Sequence, residues 1–119
     1  MKKLYFAYGS NLHLQQILRR CPSAEPITSA ILRDHELVFR GNSTGWGVAD
    51  IVESPSSVVY GAVYKVTASD IASLDRYEGY PVLYTRKRVT VETPAGQLQC
   101  FAYVMQPHYE LAMPSQPYF

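Results

Sequence analysis

A chain of 119 residues, 47% hydrophobic and 18% charged, is long enough for one domain with a real core and too short to add a separate cofactor-binding domain. Its formal charge of +1 gives no electrostatic case for a polyanionic partner such as nucleic acid. No apolar run approaches the roughly 20 residues of a membrane helix, and Cys21, Cys100, His13, His35 and His108 are too scattered for a zinc site.

In chain order, Lys3 to Tyr8 reads as a short buried strand, broken by Gly9-Ser10-Asn11. His13 to Arg20 follows as a helix with Leu14, Ile17 and Leu18 on one face and Asn11 at the N-cap position. Cys21-Pro22 ends that helix, because the residue before a proline is driven out of the α region, and Pro22 to Thr28 reads as a loop. Ile31 to Phe39 is a strand, and the glycine-rich GNSTGWG is a turn. Val48 to Glu53 and Val58 to Val66 are two further strands separated by a turn at SPSS. Thr67 to Asp70 resembles a capping box with aspartate in the acidic position. It opens a helix carrying Ile71, Leu74 and Asp75 that should end near Gly79-Tyr80-Pro81. Tyr84 to Glu92 alternates as a strand, Thr93 to Gly96 is a hairpin turn, and Leu98 to Met105 is the return strand. The order βαβββαββ predicts an α+β fold with a mostly antiparallel, curved or barrel-like sheet and flanking helices.

Several segments carry functional residue types, each with two readings. The strand–turn–helix at YGSNL, Tyr8 to Leu12, places unpaired backbone N–H groups at a helix start, where they suit a carboxylate or phosphate. The same residues also make an ordinary turn with a capped helix. Glu78, between Tyr77 and Gly79, sits at the negative end of a helix dipole among aromatic neighbours. That setting favours a proton-accepting carboxylate, although a solvated surface glutamate has the same sequence. The run Arg86-Lys87-Arg88 reads as a phosphate contact or as a charged strand face that discourages edge pairing. Ser10, His13 and Asp34 supply the residue types of a nucleophilic triad, but the G-x-S-x-G elbow is absent. Ten tyrosines are available both for strand packing and for lining a polar pocket. The thiols are expected to be reduced in a cytoplasmic protein, since nothing requires a disulfide and MKKLYFAY is too short and too quickly polar for a signal peptide.

Taken together, YFAYGSNL, VADIVESPSSVVYGAVYKV, LDRYEG, Tyr84, CFAYVM and PSQPY form a collinear series over nearly the whole chain. That series resembles the γ-glutamylcyclotransferase family, with its AIG2-like or cyclotransferase-like fold. The resemblance implies a mixed β-barrel with flanking helices, built as a single domain over 1–119. Family members usually continue with another helix after the PSQPY block, so the expectation is a domain without it. It implies Glu78 as acid/base and substrate binding by the backbone of Tyr8, Gly9, Ser10, Asn11 and Leu12. Tyr84, Tyr103 and Tyr118 fall at positions of pocket tyrosines. The implied reaction is cyclisation of a γ-glutamyl amine, amino acid or peptide to 5-oxoproline, with no cofactor and no metal. The expected partner is that small molecule, with no nucleic acid and no membrane, in a monomer or homodimer. The alternative is a non-catalytic small-molecule binding module that keeps the pocket.

Overall fold

A computed structural model describes residues 3–8, 19, 21–41, 47–78, 80–81 and 84–105. Among these, five strands close into a barrel in the order β1-β3-β2-β4-β5. Strand β1 is Lys3–Ala7, β2 is Glu25–Gly41, β3 is Gly47–Val66, β4 is Tyr84–Thr93 and β5 is Gly96–Met105. One helix, α1 (Ala68–Glu78), joins β3 to β4. Every pairing is antiparallel except β1 with β5, which run parallel at Tyr5↔Phe101 and close the barrel. The mixed, mostly antiparallel barrel expected from the sequence is therefore present.

Alternation along the strands builds two cores, because successive side chains point to opposite faces. Phe6, Ala30, Leu32, Val59, Val63, Val89, Val91, Cys100 and Ala102 come from all five strands and fill the barrel interior. Tyr5, Ala7, Tyr64, Val66, Tyr84, Tyr103 and Met105 form the outer face, on which α1 sets Leu74. Leu74 is fully buried, which stabilises the helix–sheet contact by about 1.5–3 kcal/mol. Gly61 lies between Val59 and Val63, and a Cβ there would come within 2.4 Å of the Ala7 carbonyl oxygen and 2.6 Å of the Phe6 ring. The absent side chain lets β1 lie against β3 and gives the Phe6 ring its place.

The helix start follows the sequence closely. Thr67 N–H donates to Asp70 Oδ2 at 2.9 Å, and Asp70 N–H donates to Thr67 Oγ1 at 3.1 Å, a reciprocal capping box. Ser23 Oγ adds bonds of 2.8 and 2.9 Å to the same carboxylate, tying the turn before β2 to the start of α1. At the other end, Tyr80 N–H reaches the Asp75 carbonyl at 2.9 Å, the long return bond of a Schellman ending. Glu78 is thereby the last residue of the helix.

Apart from shifts of one or two residues at other strand ends, the strands differ from expectation in three places. The segment from Glu25 to Thr28 is strand rather than loop, because Glu25 and Pro26 pair with Lys65 and Tyr64. A register shift immediately after Pro26 accommodates the residue that has no N–H to give the ladder. SPSS is not a turn between two strands. It is a bulge inside the single strand β3, since Arg33↔Val58 is followed by His35↔Glu53. Asp34 and Ser56 take positive φ values of 62° and 71° at that bulge, and Ser56 N–H donates to Asp34 Oδ1 at 3.2 Å. The Asp34 carboxylate thus has a local backbone role. The return strand β5 begins at Gly96, two residues earlier than expected, because Thr93 pairs directly with Gly96. Of the helix expected over His13 to Arg20 only Arg19 is described, in helical conformation.

Candidate active site

Five elements deliver polar side chains to one end of the barrel. The aromatic strand β1 stops at Ala7, and Tyr8 continues the inward alternation, its ring stacked on Phe6 at 6.4 Å. The Tyr8 hydroxyl donates to the backbone carbonyl of Tyr103 near the end of β5. Two residues on, Met105 N–H donates to Asp50 Oδ1 at 2.9 Å. The C=O of one residue and the N–H of the next but one share an edge of an extended strand. Tyr8 and the buried Asp50 are therefore neighbours along the same edge of β5.

The electrostatics of Tyr8 identify the rest of its surroundings. Burial pushes its phenol far above the ordinary tyrosine range, and the charges of Asp50, Tyr84 and Glu78 push it further in the same direction. A neutral phenol is thus flanked by two carboxylates, one from β3 and one from the end of α1. Tyr84 enters from the start of β4, paired with Met105, and is buried. Such an arrangement suits a ligand with a cationic group, because a partly buried pair of carboxylates is eased by positive charge.

A second cluster supports the helix one turn earlier. Asp75 and Glu78 are three residues apart, so they share a helix face. Tyr103 Oη donates to Asp75 Oδ1 at 2.6 Å, and Arg86 Nε lies 3.6 Å from the same oxygen. Burial and this bond to Asp75 hold the Tyr103 phenol well above the usual range. The Arg86 guanidinium lies 4.3 Å from the centre of the Tyr80 ring. Burial works against its charge, but Tyr80 and Asp75 outweigh that, and its pKa is raised.

Of the site residues expected from the sequence, Tyr8, Glu78, Tyr84 and Tyr103 are described. Tyr8, Glu78 and Tyr84 are brought together, while the Tyr103 hydroxyl is engaged with Asp75 and its backbone carbonyl receives Tyr8. Gly9, Ser10, Asn11, Leu12 and Tyr118 lie outside the described residues, as do Ser10 and His13 of the triad types. Asp50 and Asp75 were not singled out. Asp50 carries a visible signal, a lone acid in the apolar strand stretch VADIV, since a carboxylate is rarely buried without a partner. Among the described residues no group of three or more His, Cys, Asp or Glu is placed to hold a metal ion. Cys21 and Cys100 are buried and neither forms a disulfide. Among the described residues no helix is long and apolar enough to cross a membrane.

Comparison with known proteins bears on the whole arrangement. Residues 5–118 match the family model described as gamma-glutamyl cyclotransferase, AIG2-like. The chain is 43% identical over 124 aligned residues to the gamma-glutamylcyclotransferase of Bos taurus, covering 97% of this chain and 65% of the relative. The Homo sapiens gamma-glutamylcyclotransferase shows the same identity and the same coverage, 43%, 97% and 65%. The chain thus spans a little under two thirds of the length of these relatives. A solved structure titled gamma-glutamyl cyclotransferase superposes with a TM-score of 0.80 at 39% identity, over 89% of this chain and 68% of that one. YkqA from Bacillus subtilis shares the fold, with a TM-score of 0.74 at 22% identity over 96% of this chain and 47% of its own. By sequence along almost its whole length and by barrel topology, this chain belongs to the AIG2-like gamma-glutamyl cyclotransferase family.

Proposed function

We propose that this chain, folded as one domain over 1–119, converts a γ-glutamyl amine, amino acid or peptide into 5-oxoproline and the free amine. The observation that carries the reading is the placement of Glu78 at the last residue of α1, within electrostatic reach of the partly buried Tyr8 at the barrel end. Buried thiols outside any disulfide accord with a cytoplasmic setting.

The substrate holds both reacting groups. Glu78 removes a proton from its α-ammonium group, and the freed nitrogen attacks the γ-carbonyl carbon. A C–N bond forms, the carbonyl oxygen takes negative charge, and the five-membered ring closes. Collapse of that intermediate breaks the bond to the leaving nitrogen, which receives the proton from Glu78, while the ring nitrogen gives up its second ammonium proton to the departing amine, so the lactam is neutral and the amine leaves as an ammonium. Because the attack is intramolecular, the protein has mainly to hold a bent conformer and move one proton. The backbone of Tyr8 to Leu12 is the proposed holder of the α-carboxylate or the oxyanion, with Tyr84, Tyr103 and Tyr118 as walls. Asp50 and Glu78 together give the α-ammonium group an anionic environment before it is deprotonated. Neither a metal nor a cofactor has a step in this scheme.

Incubation of the full chain with γ-glutamyl-alanine and detection of 5-oxoproline tests the proposal. Stoichiometric release of 5-oxoproline and alanine supports it. Saturable binding with no product would instead identify a small-molecule binding module that keeps the pocket.

A further inference from the structure

The basic run Arg86 to Arg88 has no part in the proposed reaction. Arg86 and Arg88 alternate with Lys87, which reaches toward Glu53 at 4.0 Å. On the outer face, two registers align residues from three strands. Arg88 pairs with Phe101 across β4 and β5, and Phe101 pairs with Tyr5 across β5 and β1. Continuing that parallel register by two residues puts Lys3 beside Gln99. Lys3, Arg88, Gln99 and Phe101, with Tyr80, Arg86 and Lys87, line a groove of about 450 Å³. Within it Arg86 is already committed, to Asp75 and to the Tyr80 ring. Arg88 and Lys3 are exposed, and neither has an ion-pair partner among the described residues.

We propose that this groove binds a small organic phosphate, with the phosphate between Arg88 and Lys3 and the organic part against Phe101 and Tyr80. Charge selects the anion. A phosphate monoester carries roughly −1.5 to −2 at neutral pH and balances two uncommitted cations, where a carboxylate balances one. The Arg88 fork and the Lys3 ammonium together match several phosphate oxygens, and the Gln99 amide adds a donor. Phe101 is held in place by stacking on Tyr5 at 5.2 Å, so the apolar wall is already formed. Size selects a small molecule, since the volume falls within the roughly 300–1,000 Å³ of small-ligand pockets. A nucleic-acid backbone needs a continuous track of cations. Here the cations are confined to one short groove, in a chain of net charge +1.

The test is calorimetric titration of the full chain at low ionic strength with phenyl phosphate, inorganic phosphate and benzoate. Phenyl phosphate should bind at one site, more tightly than inorganic phosphate and at least about tenfold more tightly than benzoate. Arg88→Gln and Lys3→Gln should each weaken phenyl phosphate about tenfold or more, the loss of one charge-assisted bond. Arg76→Gln, an exposed cation outside the groove, should leave binding unchanged. On the parent protein, phenyl phosphate should shift the Gln99 side-chain amide resonances, a readout that does not depend on any variant folding. The proposal is overturned by unsaturable binding, by equal losses in Arg76→Gln, by benzoate binding as well as phenyl phosphate, or by an unmoved Gln99. Competition by γ-glutamyl-alanine would also overturn it, since that would place the phosphate in the Glu78 site instead.

Discussion

The Tyr8 side chain and the Tyr103 backbone are joined by a hydrogen bond across 95 positions of sequence. That bond fixes the first residue of the YGSNL segment against the far end of the last described strand. Through the same phenol, Glu78 on α1 and Asp50 on β3 become parts of one electrostatic neighbourhood.

If Glu78 is the proton shuttle, Glu78→Gln should fold normally and still bind a γ-glutamyl ligand. Its turnover should fall by roughly 10²–10⁴-fold, the usual consequence of losing a general base. Thermal melting and 5-oxoproline release on one preparation separate this from a structural role, under which activity and melting would decline together. A variant that melts and turns over like the parent would remove the central residue from the mechanism.

Tyr103→Phe tests how the helix bearing Glu78 is held. The substitution deletes the 2.6 Å bond to Asp75 and leaves that carboxylate with Arg86. Stability should drop by about 1–3 kcal/mol, read as a shift in the urea midpoint at unchanged m-value. In an Asp75→Ala background the same change should cost much less, because the two partners share one interaction. Additive losses would show that the bond is not what links them.

Gly61→Ala addresses the contact between β1 and β3. Its Cβ would sit 2.4 Å from a backbone oxygen, which cannot move aside as a side chain can. The expected cost is at least the roughly 1–3 kcal/mol of an overpacked core, seen as a lowered melting temperature. An unchanged melting temperature would mean that β1 is not clamped there as described.

Alkaline pH should destabilise the fold. The phenols of Tyr8, Tyr64 and Tyr103 are all raised above the ordinary value of 10.0, chiefly by burial. Cys100 is raised from 9.0 to about 11 for the same reason. A raised folded-state pKa means that the unfolded chain releases its protons first as pH increases. Stability from these groups is whole below about pH 9, begins to fall as unfolded Cys100 ionises and falls faster above about pH 10 as the unfolded tyrosines do. Urea titrations at pH 8, 9, 10 and 11 should show this decline, and Tyr8→Phe should make it shallower above pH 10. A flat profile would contradict the burial of these hydroxyls.

How much of this could be read in advance depended on whether a signal was local. The Thr67–Asp70 cap, the turn before Gly96 and the end of α1 near Gly79 each arise from a few adjacent residues, and each was legible. Glu78 was legible as a candidate because its position on the helix is itself local. The roles of Asp50 and Asp75 were not, since their partners Met105 and Tyr103 lie far along the chain and become neighbours only through β-pairing. SPSS looked like a turn because proline and serine are turn residues. The β2 register, with Asp34 bonding across the bulge, decided otherwise. The basic run was legible as charge, but only the pairing of β4, β5 and β1 brings it into one groove with Lys3, Gln99 and Phe101.

The parallel contact between Tyr5 and Phe101 also imposes an order of events on a nascent chain. One side of β1 can be occupied as soon as Lys3 finds Val66 on β3, whereas its other side waits for β5 to be synthesised. Until then an apolar, aromatic strand presents unmatched amide and carbonyl groups, the kind of edge on which chains associate. Closing so distant a contact is entropically slow, so this late step should govern the folding rate. A ribosome-released fragment ending before Gly96 would hold Tyr8 and Glu78 yet have no acceptor for the Tyr8 hydroxyl.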